Sequence, residues 1–330
     1  VVEKAFRFVQ IVCLAPQNVQ PGVTMRIAYQ IEGSRLAQCG EGEGSILVYF
    51  GPTEAERREL VEIHGLDEHT LNSALDPDEL PRIEFEEDHT VFIMKRPRPH
   101  SPRDKYLFKV ASFGMFLFRG KIVLVAGEDV QFFEGKLFQK ISSVSDLGLR
   151  IIYRSIWHFI DHLKVINMIS ESLEVKINSS MENRYLIDLF TLEKSLVYYL
   201  NAISGNGVVF ERLKLNALRL GFETEQAEML EDLVIENNQC FKQAEIYSNI
   251  LAGLMDARAS IVSNNLNMLM KNLNVITIAI MVPTFVVSAF SMNVALPWGL
   301  QESNAAFWIV IGLAAISVVA FLMVWRTRKW

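Results

Sequence analysis

Three hydropathy regimes succeed one another along the 330 residues. In the first, short runs rich in β-branched and aromatic residues, Ser45–Phe50, Thr90–Met94, Val110–Phe118 and Lys121–Ala126, predict strands, several of them apolar enough to be buried on both faces. Glu54–His64 and Asp67–Leu75 predict short helices between them. Residues 1–145 are therefore expected to form an α/β domain.

The second regime begins near Leu147, where Ile152, Ile156, Phe159, Leu163, Ile166 and Ile169 recur at steps of three and four and mark one face of a helix. Ser204-Gly205-Asn206-Gly207 predicts a turn, and Gly221 the end of a shorter helical piece. From Thr224 onward only Gly253 interrupts the pattern before Pro283. A helix of about 65 residues would be roughly 100 Å long, and one so long calls for a supercoil, a bundle or a membrane span. Its packing face would carry Leu230, Leu233, Phe241, Ala244, Ile250, Leu251 and Leu254, while Glu225, Glu228, Glu231, Asp232 and Glu236 would stay wet or line a channel. Residues 146–272 are expected to be a helical stalk.

In the third regime charge disappears. Leu273–Phe290 is 18 residues without a charged side chain, and Ala305–Trp325 is 21. As helices they would extend roughly 27 and 31 Å, close to the hydrocarbon thickness of a bilayer. Two transmembrane helices are expected, 273–290 and 305–325, joined by an extracytoplasmic loop, 291–304, and followed by a basic tail, 326–330. The loop holds only Glu302, whereas Lys271 precedes the first span and Arg326, Arg328 and Lys329 follow the second, so the positive-inside rule places both termini in the cytoplasm. Trp298, Trp308, Trp325 and Trp330 fall where interfacial aromatics belong. Two buried helices of a large soluble protein are the competing account, which leaves the flanking cations as coincidence.

Setting aside Glu302 and the three cations of the tail leaves 29 basic and 37 acidic residues in 1–271, a net charge of −8. That sign argues against a nucleic-acid partner. It suits a body that concentrates cations, although plain solubility gives the same sign. Cys13, Cys39 and Cys240 are odd in number and widely spaced, which fits neither a disulfide framework nor a zinc knuckle and points to a reducing compartment. The opening Val1–Arg7 lacks the pattern of a secretory leader, so the N-terminal body is expected to stay cytoplasmic. No catalytic constellation is present and no enzymatic activity is expected. His158 and His162 have metal-ligand spacing on a helix but no glutamate beside the first, and a partly exposed helix face is the expected environment.

The junction between the second and third regimes reads Ser263-Asn264-Asn265-Leu266-Asn267-Met268-Leu269-Met270-Lys271-Asn272-Leu273, followed by the first apolar span, Ser291-Met292-Asn293, the second span and a basic tail. This resembles the CorA family of magnesium transporters, whose members carry a similar Asn-rich helix, a Gly-Met-Asn motif ending the first span, and a Lys/Arg tail. The resemblance takes in Leu80–Phe85 and Thr90–Ile93 and runs without gaps from Met229 to Asn293. It implies a funnel-shaped homopentamer in the bacterial inner (plasma) membrane. Each subunit would have a cytoplasmic α/β domain, a stalk helix that becomes the pore-lining first span, and an outer second span. The implied cargo is Mg²⁺, with Co²⁺ and Ni²⁺ as companions, and Mg²⁺ is also the implied regulatory ion. Ser291 stands where the family has glycine, and Ala295–Gly299 lacks an acidic Met-Pro-Glu-Leu pattern and is nearer to the zinc-transporting ZntB branch. Zn²⁺ transport is the alternative, and a non-conducting membrane-anchored sensor or scaffold the alternative of another class.

On this resemblance Ser291, Met292 and Asn293 form the selectivity element, with a ring of Asn293 amides accepting hydrogen bonds from the waters that Mg²⁺ keeps. Thr277, Met281, Thr284 and Ser288 share one helical stripe that extends to Asn267, Met270 and Leu273, small or polar as a water-filled lumen requires. Helix packing through small residues is the competing account. Pro283 would leave the Ala279 carbonyl without its helical donor. Asp232 and Asp256 match family positions that bind regulatory divalent ions, with Glu84, Glu86, Glu87 or Asp88 as candidate partners of Asp232; solvated surface acid is the other reading of both.

Overall fold

A computed structural model describes residues 25–40, 44–100, 104–128, 132–133, 135–179, 184–292 and 305–327. Seven strands, β1 (Met25–Glu32), β2 (Arg35–Cys39), β3 (Ile46–Phe50), β4 (Arg82–Phe85), β5 (His89–Pro97), β6 (Val110–Phe118) and β7 (Lys121–Ala126), form one sheet in the order β2-β1-β3-β7-β6-β5-β4. Only the β3–β7 pairing is parallel. The four sequence-predicted strands are all present.

The sheet is covered on both faces, which explains why its central strands read as unbroken apolar runs. Leu47, Tyr49, Val91, Ile93, Phe116, Val123 and Val125 point to one side. There they meet Leu60 of α1 (Glu54–Glu62) and Leu71 and Ala74 of α2 (Glu68–Leu75). Each short helix has its own start signal. Thr53 and Glu56 close a capping box over α1, and Asp67 accepts from the Thr70 N–H at 2.9 Å at the head of α2. Those bonds hold the Asp67 carboxyl below its ordinary value.

The alternate residues, among them Val48, Phe92, Phe113, Met115 and Leu124, face α3 (Val144–Ser179) and α4 (Arg184–Leu215). Ile152, Ile156, Phe159, Leu163 and Ile166 of α3 are all buried there, as their spacing predicts. The first part of α5 (Thr224–Phe290) buries Leu230, Leu233, Cys240, Ala244 and Leu251 in the same core, while Ile250 stays half exposed. Packing divides the chain into two units, the first ending at Met255. The reason is the apolar sheet face, which is covered by α3 and α4, with the start of α5 joining the same core. The second unit, from Asp256, holds the rest of α5 and α6 (Ala305–Thr327).

One expectation is overturned. Ser204-Gly205-Asn206-Gly207 is no turn but lies inside α4. Both glycines are there for close packing: a Cβ on Gly205 would come within 2.7 Å of the Pro81 ring, and one on Gly207 within 2.9 Å of Asn237 Nδ2. Between them Asn206 is buried and grips one residue of β5. The Lys95 N–H donates to Asn206 Oδ1 at 2.9 Å, and Asn206 Nδ2 donates to the Lys95 carbonyl at 2.8 Å. Strand β4 pairs with β5 only as far as Ile93, so one asparagine stands in for the missing strand at the outer edge of Lys95. Asn237 of α5 in turn donates to the Ile203 carbonyl of α4 at 3.2 Å.

Replacing Asn206 with Ala leaves both Lys95 backbone groups buried without partners, at about 1–3 kcal/mol each. The expected result is a thermal midpoint lower by about 4 °C or more in the detergent-solubilised protein, at roughly 2–4 °C per kcal/mol for a body of this size. A midpoint unchanged from wild type would show that the grip contributes nothing.

Candidate functional site

The residues expected to line a pathway lie in the second unit. Asn267, Met270, Leu273, Thr277, Met281, Thr284 and Ser288 are all on α5 and all exposed, and Ser291 follows at its end. At 100° per residue these eight positions fall within one arc of roughly 120°. The flanking Ile276, Ile278 and Phe285 are exposed as well, so exposure in the single chain does not distinguish the stripe; its composition does. Thr277 and Thr284 donate their hydroxyl protons to the carbonyls of Leu273 and Ile280, at 2.9 and 2.7 Å, which turns their remaining lone pairs outward. Pro283 lies inside the helix, which continues through it. Ser291 and Met292 are described and exposed. Asn293, the outer loop and the tail from Arg328 lie outside the described residues.

The most apolar stretches of α5 and α6 have mean hydropathies of 2.1 and 2.7, and no part of either stretch is buried within the chain. That decides against the soluble-protein account, since core helices would be covered. Trp308 and Trp325 are exposed near the two ends of α6.

Asp232 and Asp256 are exposed on α5, in the first and second unit respectively, and neither carboxylate takes part in a described hydrogen bond or ion pair. The candidate partners of Asp232 are differently employed. Glu84 accepts from Arg82 at 2.5 Å, and Asp88 is 2.6 Å from His89 Nδ1, which keeps the Asp88 carboxyl low. Among the described residues no three metal-ligating side chains of one chain converge.

One member of the histidine pair departs from expectation. His162 is fully buried, because its face of α3 packs against the sheet and α4, while His158 is partly exposed. His162 Nδ1 lies 2.6 Å from the Tyr199 hydroxyl of α4, and His158 Nδ1 accepts from Arg96 of β5 at 3.4 Å. His100 stacks on Phe108 at 4.6 Å, and Phe108 meets His162 edge-on at 5.6 Å. Burial lowers all three histidines. His162 falls to about 3, with His100 and Arg96 adding to the effect, and His158 falls well below its ordinary value, with His162, Arg96 and Arg154 adding. His100 is lowered less, because Asp104 opposes the burial. Cations crowd this nest, so it keeps its imidazoles neutral and serves the core.

A covered α/β body, a long helix leaving it and two uncovered apolar helices define an integral membrane protein, whose first span carries a neutral, partly polar stripe. The family model of CorA-like Mg²⁺ transporter proteins matches residues 43–328, and the chain belongs to that family, whose members are membrane transporters of divalent cations and not enzymes. It is 25% identical over 301 residues to the cobalt/magnesium transport protein CorA of Methanocaldococcus jannaschii, covering 85% of this chain and 89% of that protein. The complete structure of the CorA magnesium transporter from that organism matches with a TM-score of 0.80 at 22% identity, over 93% of this chain and 99% of the other. The full-length CmaX protein matches with a TM-score of 0.70 at 13% identity, over 95% of this chain and all of that one. The ZntB cytoplasmic domain from Vibrio parahaemolyticus gives 0.57 at 13% identity, over 74% and 99%. These structural likenesses establish the fold, with an α/β soluble domain, a long stalk helix and two C-terminal apolar helices.

The neutral histidines make acid lability predictable. In the unfolded chain they take up protons below about 6.5, whereas the folded protein holds them neutral to lower pH. The unfolded state therefore binds more protons below that value, and stability falls as pH drops toward His162's folded value of about 3. The slope is about 1.4 kcal/mol per pH unit for each such group. His162→Gln keeps a partner for Tyr199 and removes one titration, so its denaturant midpoint should fall less steeply than wild type between pH 6 and 4. Parallel curves would remove His162 from the acid limb.

Proposed function

We propose that the chain is one subunit of a homopentameric pathway for uptake of hydrated Mg²⁺, with Co²⁺ and Ni²⁺ as companions. It would lie in the inner (plasma) membrane with both termini cytoplasmic. The observation that carries this reading is the match to the Mg²⁺ transporter family across residues 43–328, together with a span that is free of charge and polar along one face. A hydrated divalent ion presents water hydrogens outward, and neutral oxygens accept from them without the grip of a carboxylate. Met270, Leu273 and Met281 on the same arc would be hydrophobic constrictions. The membrane potential supplies roughly 4.6 kcal/mol per 100 mV to a doubly charged ion.

Selectivity is assigned to Ser291, Met292 and Asn293, and regulation to Asp232 and Asp256. Each acid would share a cytoplasmic divalent ion with a neighbouring subunit, so that loss of the ion releases the closed state. Zn²⁺ transport of the ZntB kind is the second reading, favoured by the outer loop, in which Ala295-Leu296-Pro297-Trp298-Gly299 carries no acid.

Liposomes holding the purified protein and a metal-reporting dye test the assignment. Mg²⁺ should enter under an inside-negative potential, and Asn293→Ala should reduce its entry at least tenfold. Zn²⁺ entry without Mg²⁺ entry would transfer the assignment to the second reading, and no divalent flux at all would refute both. With a conducting protein, Asp232→Ala and Asp256→Ala should each raise the internal Mg²⁺ needed for half inhibition several-fold. An unchanged dose response would return the two acids to ordinary surface.

A further inference from the structure

One side chain closes the last turn of α5. The Ser291 N–H donates to the carbonyls of Val287 and Ser288, at 3.2 Å each, and the Ser291 hydroxyl donates to the same Ser288 carbonyl at 2.8 Å. A carbonyl oxygen accepts at two lone pairs, so both positions on Ser288 are filled from Ser291. This differs from the hydroxyl bonds upstream. Leu273 and Ile280, which accept from Thr277 and Thr284, lie within the helix. Ser288 is among the last four residues of α5, whose carbonyls have no intrahelical partner. Backbone conformation does not single out the site, because Ser34 and Lys105 are the only non-glycine residues with positive φ among those described. Ser291 therefore sits where any L-residue is at ease, and what the serine adds is its hydroxyl.

Resting on the reading of this face as a pathway for hydrated cations, we propose that the Ser291 hydroxyl sets ion affinity at the outer end of α5 by withdrawing the Ser288 carbonyl from the ion's water shell. An open main-chain carbonyl in each subunit would add one strong acceptor per subunit, hold the ion's outward-turned waters more tightly and slow exit. With its lone pairs occupied, Ser288 offers no such hold. The hydroxyl of Ser291, its proton committed inward, remains as a weaker acceptor. The residue thereby trades binding strength for turnover.

Three substitutions separate the hydroxyl from the backbone. Ser291→Ala and Ser291→Gly both delete the bond, but only glycine frees the chain, and Ser291→Thr keeps the bond. Each full-length variant is reconstituted in liposomes, and entry of Mg²⁺, Co²⁺ and Zn²⁺ is measured separately over a range of concentrations. For each metal that wild type carries, Ala and Gly should alike lower the half-saturating concentration by about threefold to tenfold, the equivalent of one hydrogen bond, and lower the maximal rate. Thr should match wild type. Ala behaving as wild type overturns the proposal, and so does a change confined to Gly, which would assign the effect to backbone freedom. A wild type that carries none of the three metals overturns the pathway reading and this proposal with it, whereas a conducting wild type indistinguishable from Ala overturns the proposal alone.

Discussion

Apolar surface that the chain cannot cover with its own atoms governs this protein. Residues 273–290 include ten Leu, Ile, Val or Phe side chains, and none of the most apolar stretch of α5 is buried within the chain. In water such a helix would expose an apolar surface around its whole circumference. In a bilayer each of those residues is favourable by about 0.3–0.6 kcal/mol at the helix centre, whereas a single Asp, Lys or Arg would cost about 2.5–3.5. The absence of charge between Asn272 and Ala289 is therefore what makes the span possible. Thr277 and Thr284 satisfy their hydroxyl protons inside the helix, on the carbonyls of Leu273 and Ile280.

The first unit meets the opposite condition at its sheet, whose apolar faces are covered. The sheet's two faces are closed by α1–α2 on one side and by α3 and α4 on the other, and the beginning of α5 joins the second core. Polar side chains fix the register of these layers where apolar packing alone would let them slide. Asn206 holds α4 to Lys95 of β5, and Asn237 holds α5 to Ile203 of α4, each from a buried position. Lys95 is tied down further through its ammonium group, which donates to Ser112 Oγ at 2.9 Å and to the Pro77 carbonyl; burial lowers its pKa. Directional bonds thus link β5 to α4 and α4 to α5.

The strand runs and the amphipathic face of α3 were legible because burial on both faces, or on one stripe, leaves a periodic trace. So were the two spans, whose lack of charge has no soluble counterpart. The β1–β2 hairpin was missed although it carried a signal. Met25, Ile27, Tyr29 and Ile31 alternate with Arg26, Ala28 and Gln30 and lead into Gly33-Ser34, both at positive φ as a two-residue hairpin turn demands. The Ser204–Gly207 stretch misled because composition cannot separate a glycine that bends the chain from one that admits a neighbour; the decisive contacts, Pro81 and Asn237, are distant in sequence. His158 and His162 carried no mark of burial for the same reason, since Arg96, His100 and Tyr199 converge on them only in the fold. For the candidate pathway, sequence supplied the stripe and its spacing, but not the directions of the hydroxyl protons.

Those directions bear on the proposed pathway, in which hydroxyls and amides stand where carboxylates would attract a cation more strongly. Two opposite charges 4 Å apart attract by about 4 kcal/mol for each unit of charge at an effective dielectric constant of 20. A doubly charged ion facing carboxylates is therefore held more tightly than one facing neutral oxygens, which slows its exit. A hydroxyl whose proton is already spent on its own helix offers only lone pairs, and a lone pair discriminates: it welcomes the outward hydrogens of a hydrated cation and repels an anion. All the acids of this protein but Glu302 lie in residues 1–271, whose net charge of −8 is solvated and screened within about 8–10 Å at physiological salt. In the proposed pathway the neutral stripe on α5 serves release, while the charge of residues 1–271 is the solvated surface of the body.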